Sequence, residues 1–215
     1  MSRQPFDPTL YLVTDPGLGR GRPLAEIVAQ AVRGGVTLVQ LRDKAADGRA
    51  LLEEARALVA LLSPQGVPLI VNDRVDVAVA AGAAGCHVGQ SDLAAAAARA
   101  LLGPDAILGV SLDAAEQAHE VDPAIVDYVA HGPFAASATK ADAGAAVGAA
   151  GIARVRALSA LSLIAIGGLD AGNLGAAVRA GADGIAVVAA IMAAPDPAAA
   201  SRELRAAIAA ARERA

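Results

Sequence analysis

Aromatic residues are nearly absent from this chain: Phe, Trp and Tyr make up 2% of its 215 residues, with no tryptophan and two tyrosines. A core must then rest on Val, Leu, Ile and Ala, which suits tightly packed parallel strands beneath helices. The single cysteine, Cys86, excludes an intrachain disulfide and a cysteine-based zinc site, and its apolar strand context reads as core. Basic residues are not in excess: 18 Lys and Arg against 22 Asp and Glu give a net charge of −4. The two signs are interspersed, so the electrostatic footprint of a nucleic-acid binder is missing. Apolar runs such as 184–194 are interrupted well before the roughly 18 residues that a membrane span needs. Met1–Thr9 has no apolar signal-peptide region, so the expected compartment is the cytoplasm.

What is present is alternation. Short Val/Ile/Leu runs fall at Leu10–Thr14, Leu38–Leu41, Leu69–Asn72, Gly85–Val88, Ile107–Ser111, Ile125–Ala130, Ser162–Ile166 and Gly184–Val187. Helical stretches follow each at Leu24–Arg33, Gly48–Leu62, Val75–Ala81, Leu93–Leu102, Ala114–Glu120, Gly151–Leu158, Asn173–Ala180 and Pro197–Arg214. Repeated strand–helix units predict a parallel sheet, and eight of them predict a closed (β/α)₈ TIM barrel. The length allows one domain, 1–215, with a barrel core of about 10–194 and a C-terminal helix of about 197–214. Gly34–Gly35, Gly82, Gly103 and Gly181 follow helical runs and read as helix stops.

In such a barrel, polar residues at the C-terminal strand ends meet at one mouth. Gln40, Arg42 and Lys44 are spaced by two, which places them on one side of an extended segment. A guanidinium fork and an ammonium suit a diphosphate; the alternative is a pair of solvated surface charges. Asp73 and Asp92 end neighbouring strands and together suit Mg²⁺ better than zinc, although each could instead cap a helix. The loop 132–150 is long and rich in small residues, and its Ser137-Ala138-Thr139-Lys140 offers hydroxyls and a cation to a phosphate. Gly167–Gly168 and Val188–Ala189 follow the last two strands, where these barrels cradle phosphate; the glycines alone would also fit a tight turn. Of the three histidines, His87 reads as structural, His119 as surface, and His131 as a possible substrate contact.

Seven segments taken together carry a resemblance. Tyr11-Leu-Val-Thr-Asp15, Gln40-Leu-Arg-Asp-Lys44, Val71-Asn-Asp-Arg-Val-Asp-Val-Ala78, His87-Val-Gly-Gln-Ser-Asp-Leu93, Gly109-Val-Ser111, Thr139-Lys-Ala-Asp142 and Ala165-Ile-Gly-Gly168 resemble, in order, the thiamine-phosphate synthase family. The resemblance spans about residues 11–194. It implies condensation of 4-amino-2-methyl-5-(diphosphooxymethyl)pyrimidine with 4-methyl-5-(2-phosphooxyethyl)thiazole, giving thiamine phosphate and diphosphate. By matching positions, Gln40, Arg42, Lys44, Asn72, Ser111 and Lys140 would hold the pyrimidine diphosphate. Asp73 and Asp92 would bind Mg²⁺, while Ser137, Ala138, Thr139, Gly168, Val188 and Ala189 would hold the thiazole phosphate. Arg42, Lys44, Lys140 and Ser111 would take the catalytic part. The chain departs from the family at Ala135, Ala136 and Ser137, where an aromatic, a proline and a threonine are usual, and at Ala189, commonly a serine. Two other readings are a related thiazole tautomerase using His131 and a non-catalytic phosphate-ligand barrel. A homodimer is a family-level expectation.

Overall fold

The computed structural model describes residues 5–136 and 144–214. Its strands are β1 (Leu10–Val13), β2 (Leu38–Leu41), β3 (Leu69–Asn72), β4 (Gly85–Val88), β5 (Ile107–Leu112), β6 (Tyr128–His131), β7 (Ser162–Ile166) and β8 (Gly184–Val187). They pair in chain order, all parallel, and β8 returns to β1 with Ile185 beside Leu10, closing the barrel. Around them lie α1 (Leu24–Arg33), α2 (Gly48–Leu62), α3 (Val75–Ala81), α4 (Ala95–Leu102), α5 (Gly148–Leu158), α6 (Leu174–Arg179), α7 (Ala189–Met192) and α8 (Pro197–Arg212). This is the (β/α)₈ barrel that the alternation predicts. None of the described helices is long and apolar enough to cross a membrane.

Strand alternation divides the apolar residues into two cores. Tyr11, Leu38, Ile70, Ile107, Tyr128, Ile164 and Ala186 fill the barrel, whereas Leu12, Val39, Val71, Val129 and Ile185 face the helices. Cys86 lies in that outer core, where burial pushes its thiol up to about 12, so it acts as packing. The helix stops read at the glycines hold, with Gly82 ending α3 at φ +67°.

Two elements differ from expectation. Ala114–Glu120 does not form an α-helix but a 3₁₀ turn over Ala115–His119. The Gln117 side chain takes the amides of Asp113 and Ala114, and Pro123 follows too soon for another turn. Strand β6 begins at Tyr128 rather than Ile125, because the amides of Ile125 and Val126 both bond to Asp122 O in a turn. At other ends α4 starts two residues later than expected and α5 three earlier.

The strand N-terminal ends carry two copies of one clamp. Asp127, just before β6, accepts from Leu108 N at 2.7 Å and from Arg99 of α4 at 2.7 Å. Asp183, just before β8, likewise accepts from Leu163 N and from Arg156 of α5. Arg99 also donates to the carbonyls of Gly103, Ala106 and Ile125, and Arg156 to those of Ser159, Leu161 and Gly181. Both clamps thus sit at the face opposite the mouth, where this architecture keeps residues that serve stability.

Candidate active site

The mouth is set first by β1 and β2. Thr14, buried just after β1, donates its amide to Gln40 O at 2.9 Å, and its hydroxyl accepts from Arg42 N at 2.9 Å. These bonds carry the ladder one step past β2, so Arg42 continues the interior-facing side that Gln40 begins. Lys44 arrives differently from the extended spacing expected. Asp43 Oδ1 accepts from the amides of Ala45 and Ala46, turning the chain there. The Lys44 ammonium nevertheless ends 3.5 Å from Asp73 Oδ2. That pair is largely solvated and adds little stability. It places a positive charge beside the strand-three carboxylate.

Asp73 sits at φ +60°, with its amide bonded to His87 O at 2.8 Å so that β3 stays joined to β4. Asp92 Oδ2 accepts from Gly89 N at 2.8 Å in the loop after β4. Neither carboxylate caps a helix: the N-cap positions are Arg74 for α3 and Ala94 for α4. Burial, followed by the close approach of Asp92, raises the Asp73 carboxyl above its ordinary range, partly offset by Lys44. Two acidic groups so near resist ionising together, and a divalent cation between them removes the conflict. Two hard oxygen donors of this kind would suit Mg²⁺, with substrate oxygens and water as its other ligands.

Beneath them, five side chains form a continuous chain that is buried from Gln40 to His87 and half-buried at Ser111. Gln40 Nε2 donates to Tyr11 OH at 2.7 Å, Tyr11 OH meets Tyr128 OH at 2.9 Å, and Tyr128 OH meets His87 Nδ1 at 3.0 Å. His87 Nε2 reaches Ser111 Oγ at 2.8 Å. Gly109 makes this possible, since a Cβ there would lie 2.0 Å from Tyr128 Cζ and 2.5 Å from His87 Nδ1. The imidazole and the Tyr128 ring stack with centroids 5.4 Å apart. Burial lowers the His87 pKa to about 4, leaving it neutral near pH 7. His87 is structural, as expected, yet it touches a residue expected in the site. Gln90 adds a bond from its side chain to Ser111 O at 2.6 Å. Asn72 ends β3 two residues after the interior-facing Ile70, so it stands on the same side as Gln40.

Across the mouth, Gly167 and Gly168 adopt φ +94° and +65°. A Cβ on Gly168 would stand 2.6 Å from Ala135 O, and one on Gly167 would stand 2.7 Å from Pro133 Cα. The glycines therefore serve a backbone-to-backbone contact with the loop after β6, sealed by Phe134 N to Ile166 O and Ala135 N to Gly167 O. Val188 precedes the short α7, whose first amides, including that of Ala189, have no partner within the helix. Ser137, Ala138, Thr139 and Lys140 lie outside the described residues. His131 ends β6 on the outward face with Val129; it is buried, and its Nδ1 is 3.0 Å from Leu112 O. That placement aims it toward the helices, not the mouth, which removes the geometry a proton-transfer role needs. His119 is exposed, as read.

Sequence reasoning gave no role to Tyr11, Thr14 or Gly109, although they fall in the segments that carry the resemblance, and it did not single out Tyr128. The two tyrosines were visible as the only ones in the chain, but not that they meet inside the barrel.

Similarity to known proteins identifies the family. The family described as thiamine monophosphate synthase matches residues 10–191. The chain belongs to the thiamine-phosphate synthase family. It is 57% identical over 201 residues to a thiamine-phosphate synthase of Azorhizobium caulinodans, covering 94% of this chain and 95% of the relative. A thiamine-phosphate synthase of Xanthobacter autotrophicus is 57% identical over 209 residues, covering 97% and 99%. Among solved structures, thiamine phosphate pyrophosphorylase from Pyrococcus furiosus is similar, with a TM-score of 0.87 and 32% identity, covering 95% of this chain and 97% of that one. As a thiamine-phosphate synthase family member, the chain is an enzyme of the transferase class.

Proposed function

We propose that this enzyme joins a pyrimidine bearing a diphosphooxymethyl group to a thiazole phosphate, forming thiamine phosphate and releasing diphosphate. The observation that carries the reading is the meeting of Asp73, Asp92 and Lys44 at the same mouth as Gln40, Arg42 and Ser111. The carbon–oxygen bond of the pyrimidine methylene breaks, diphosphate leaves with the electron pair, and the thiazole nitrogen attacks the resulting cation. No enzyme nucleophile is needed. Arg42 and Lys44, with Lys140, hold the charge that grows on the departing diphosphate, the kind of electrostatic stabilisation that supplies much of catalysis. Asp73 and Asp92 would hold Mg²⁺, which when bound neutralises diphosphate charge. Gln40, Asn72 and Ser111 orient the pyrimidine ring. Ser137, Ala138 and Thr139, with Gly168 and the backbone at Val188 and Ala189, hold the thiazole phosphate.

The test is to supply both substrates with Mg²⁺ and measure thiamine phosphate and diphosphate. Equal release of both products, abolished by a chelator and restored by Mg²⁺, is expected. Tight binding of the substrates without either product would refute the reading. The enzyme is expected in the cytoplasm and as a homodimer, which fractionation and light scattering would test.

A further inference from the structure

The hydrogen-bonded chain from Gln40 to Ser111 draws on five strands, β2, β1, β6, β4 and β5, and its protons are not free to point independently. Gln40 Nε2 donates to Tyr11, so the Tyr11 hydroxyl, in a residue 1% exposed, has Tyr128 as the acceptor for its own proton. Tyr128 then spends its proton on His87 Nδ1. A neutral imidazole with an occupied Nδ1 lone pair carries its hydrogen on Nε2, and so donates to Ser111 Oγ. If Tyr128 donated to Tyr11 instead, the Tyr11 proton would be stranded. Each of these five side chains has its partner, and with Gln40 donating only this direction leaves every proton between them paired. Only turning the Gln40 amide over, which reverses every link at once, gives another fully paired state.

We propose that this chain is a polarity relay: in the observed Gln40 orientation it fills one lone pair of Ser111 Oγ from His87, leaves the Ser111 proton for the substrate ring, and thereby favours a ring nitrogen with a free lone pair. His87, Tyr128 and Tyr11 are positioning residues that act through Ser111. A ring presenting N–H at that point would use the remaining lone pair of Ser111 and leave the hydroxyl proton without the ring as acceptor, so it binds more weakly. The proposal rests on the reading of Ser111 as a pyrimidine contact.

Nitrogen NMR of the histidine-labelled wild-type enzyme reads the relay without any substitution. A protonated Nε2 and bare Nδ1 at His87 are expected, and the opposite tautomer would overturn the proposal. Tyr128→Phe, at a fully buried position, is expected to raise the KM for the pyrimidine diphosphate about tenfold, the loss of one oriented hydrogen bond. The KM for the thiazole phosphate should stay constant. An unchanged pyrimidine KM in Tyr128→Phe, beside a raised one in Ser111→Ala, would refute the relay alone. An unchanged KM in Ser111→Ala would instead refute the site reading beneath it.

Discussion

Acidification should destabilise this enzyme through His87. Its imidazole titrates at about 4 in the folded protein against an ordinary 6.5, because burial disfavours the charged form. The unfolded chain therefore binds more protons between those values. Stability from this group is complete above about pH 6.5 and falls as pH drops toward 4, below which the loss levels off. A shift of that size corresponds to a total of about 3 kcal/mol at 1.36 kcal/mol per unit, of which about 2.5 kcal/mol is lost by about pH 4.5. For a chain of this length the melting temperature would fall by roughly 5–10 °C. Other groups also respond. Asp73, whose pKa is raised, works in the opposite sense, and Asp76, whose pKa is lowered, in the same sense. The comparison must therefore be with His87→Gln, which keeps these groups. Denaturant unfolding at several pH values should give the variant a fall shallower by about 2.5 kcal/mol between about pH 8 and 4.5. Parallel curves would refute the reasoning, as would an NMR titration placing the folded imidazole near its ordinary value.

The other tests bear on separate parts of the molecule. Asp73→Asn should stabilise the protein against unfolding without metal, since it removes a charge facing Asp92, while weakening Mg²⁺-dependent turnover by more than tenfold; calorimetry and steady-state rates decide this. Arg99→Ala should cost about 3–5 kcal/mol in denaturant unfolding, because it breaks a buried pair and orphans carbonyls, and the more exposed Arg156→Ala should cost less. Gly168→Ala should raise the KM for the thiazole phosphate, since the new Cβ meets the carbonyls of Ala135 and Ala136 and must displace that loop.

The barrel was legible because its strands and helices differ in period and composition, and five of the eight strands have the bounds read for them. The mouth was legible for the same reason: once strand ends are located, Gln40, Asp73, Asp92 and Gly168 follow. What failed were features that depend on phase or on distant pairing. His131 differs by one position from a residue that would face inward, and the start of β6 decides which. The turn after β5 was decided by one glutamine side chain. Whether Asp73 and Asp92 cap helices or face each other is a matter of loop path. The Tyr11–Tyr128 contact joins residues 117 apart in the chain, and no local pattern announces it.

Gly109 has a consequence for how this enzyme can change. Its missing side chain is the space that Tyr128 and His87 occupy, so the three positions form a single unit of substitution. An alanine at 109 would be incompatible with the tyrosine, and a smaller residue at 128 would leave a void beside the glycine. Libraries that vary these positions one at a time would find only losses. Viable alternatives should emerge in pairs or triples, with the bulk removed from one strand reappearing on its neighbour.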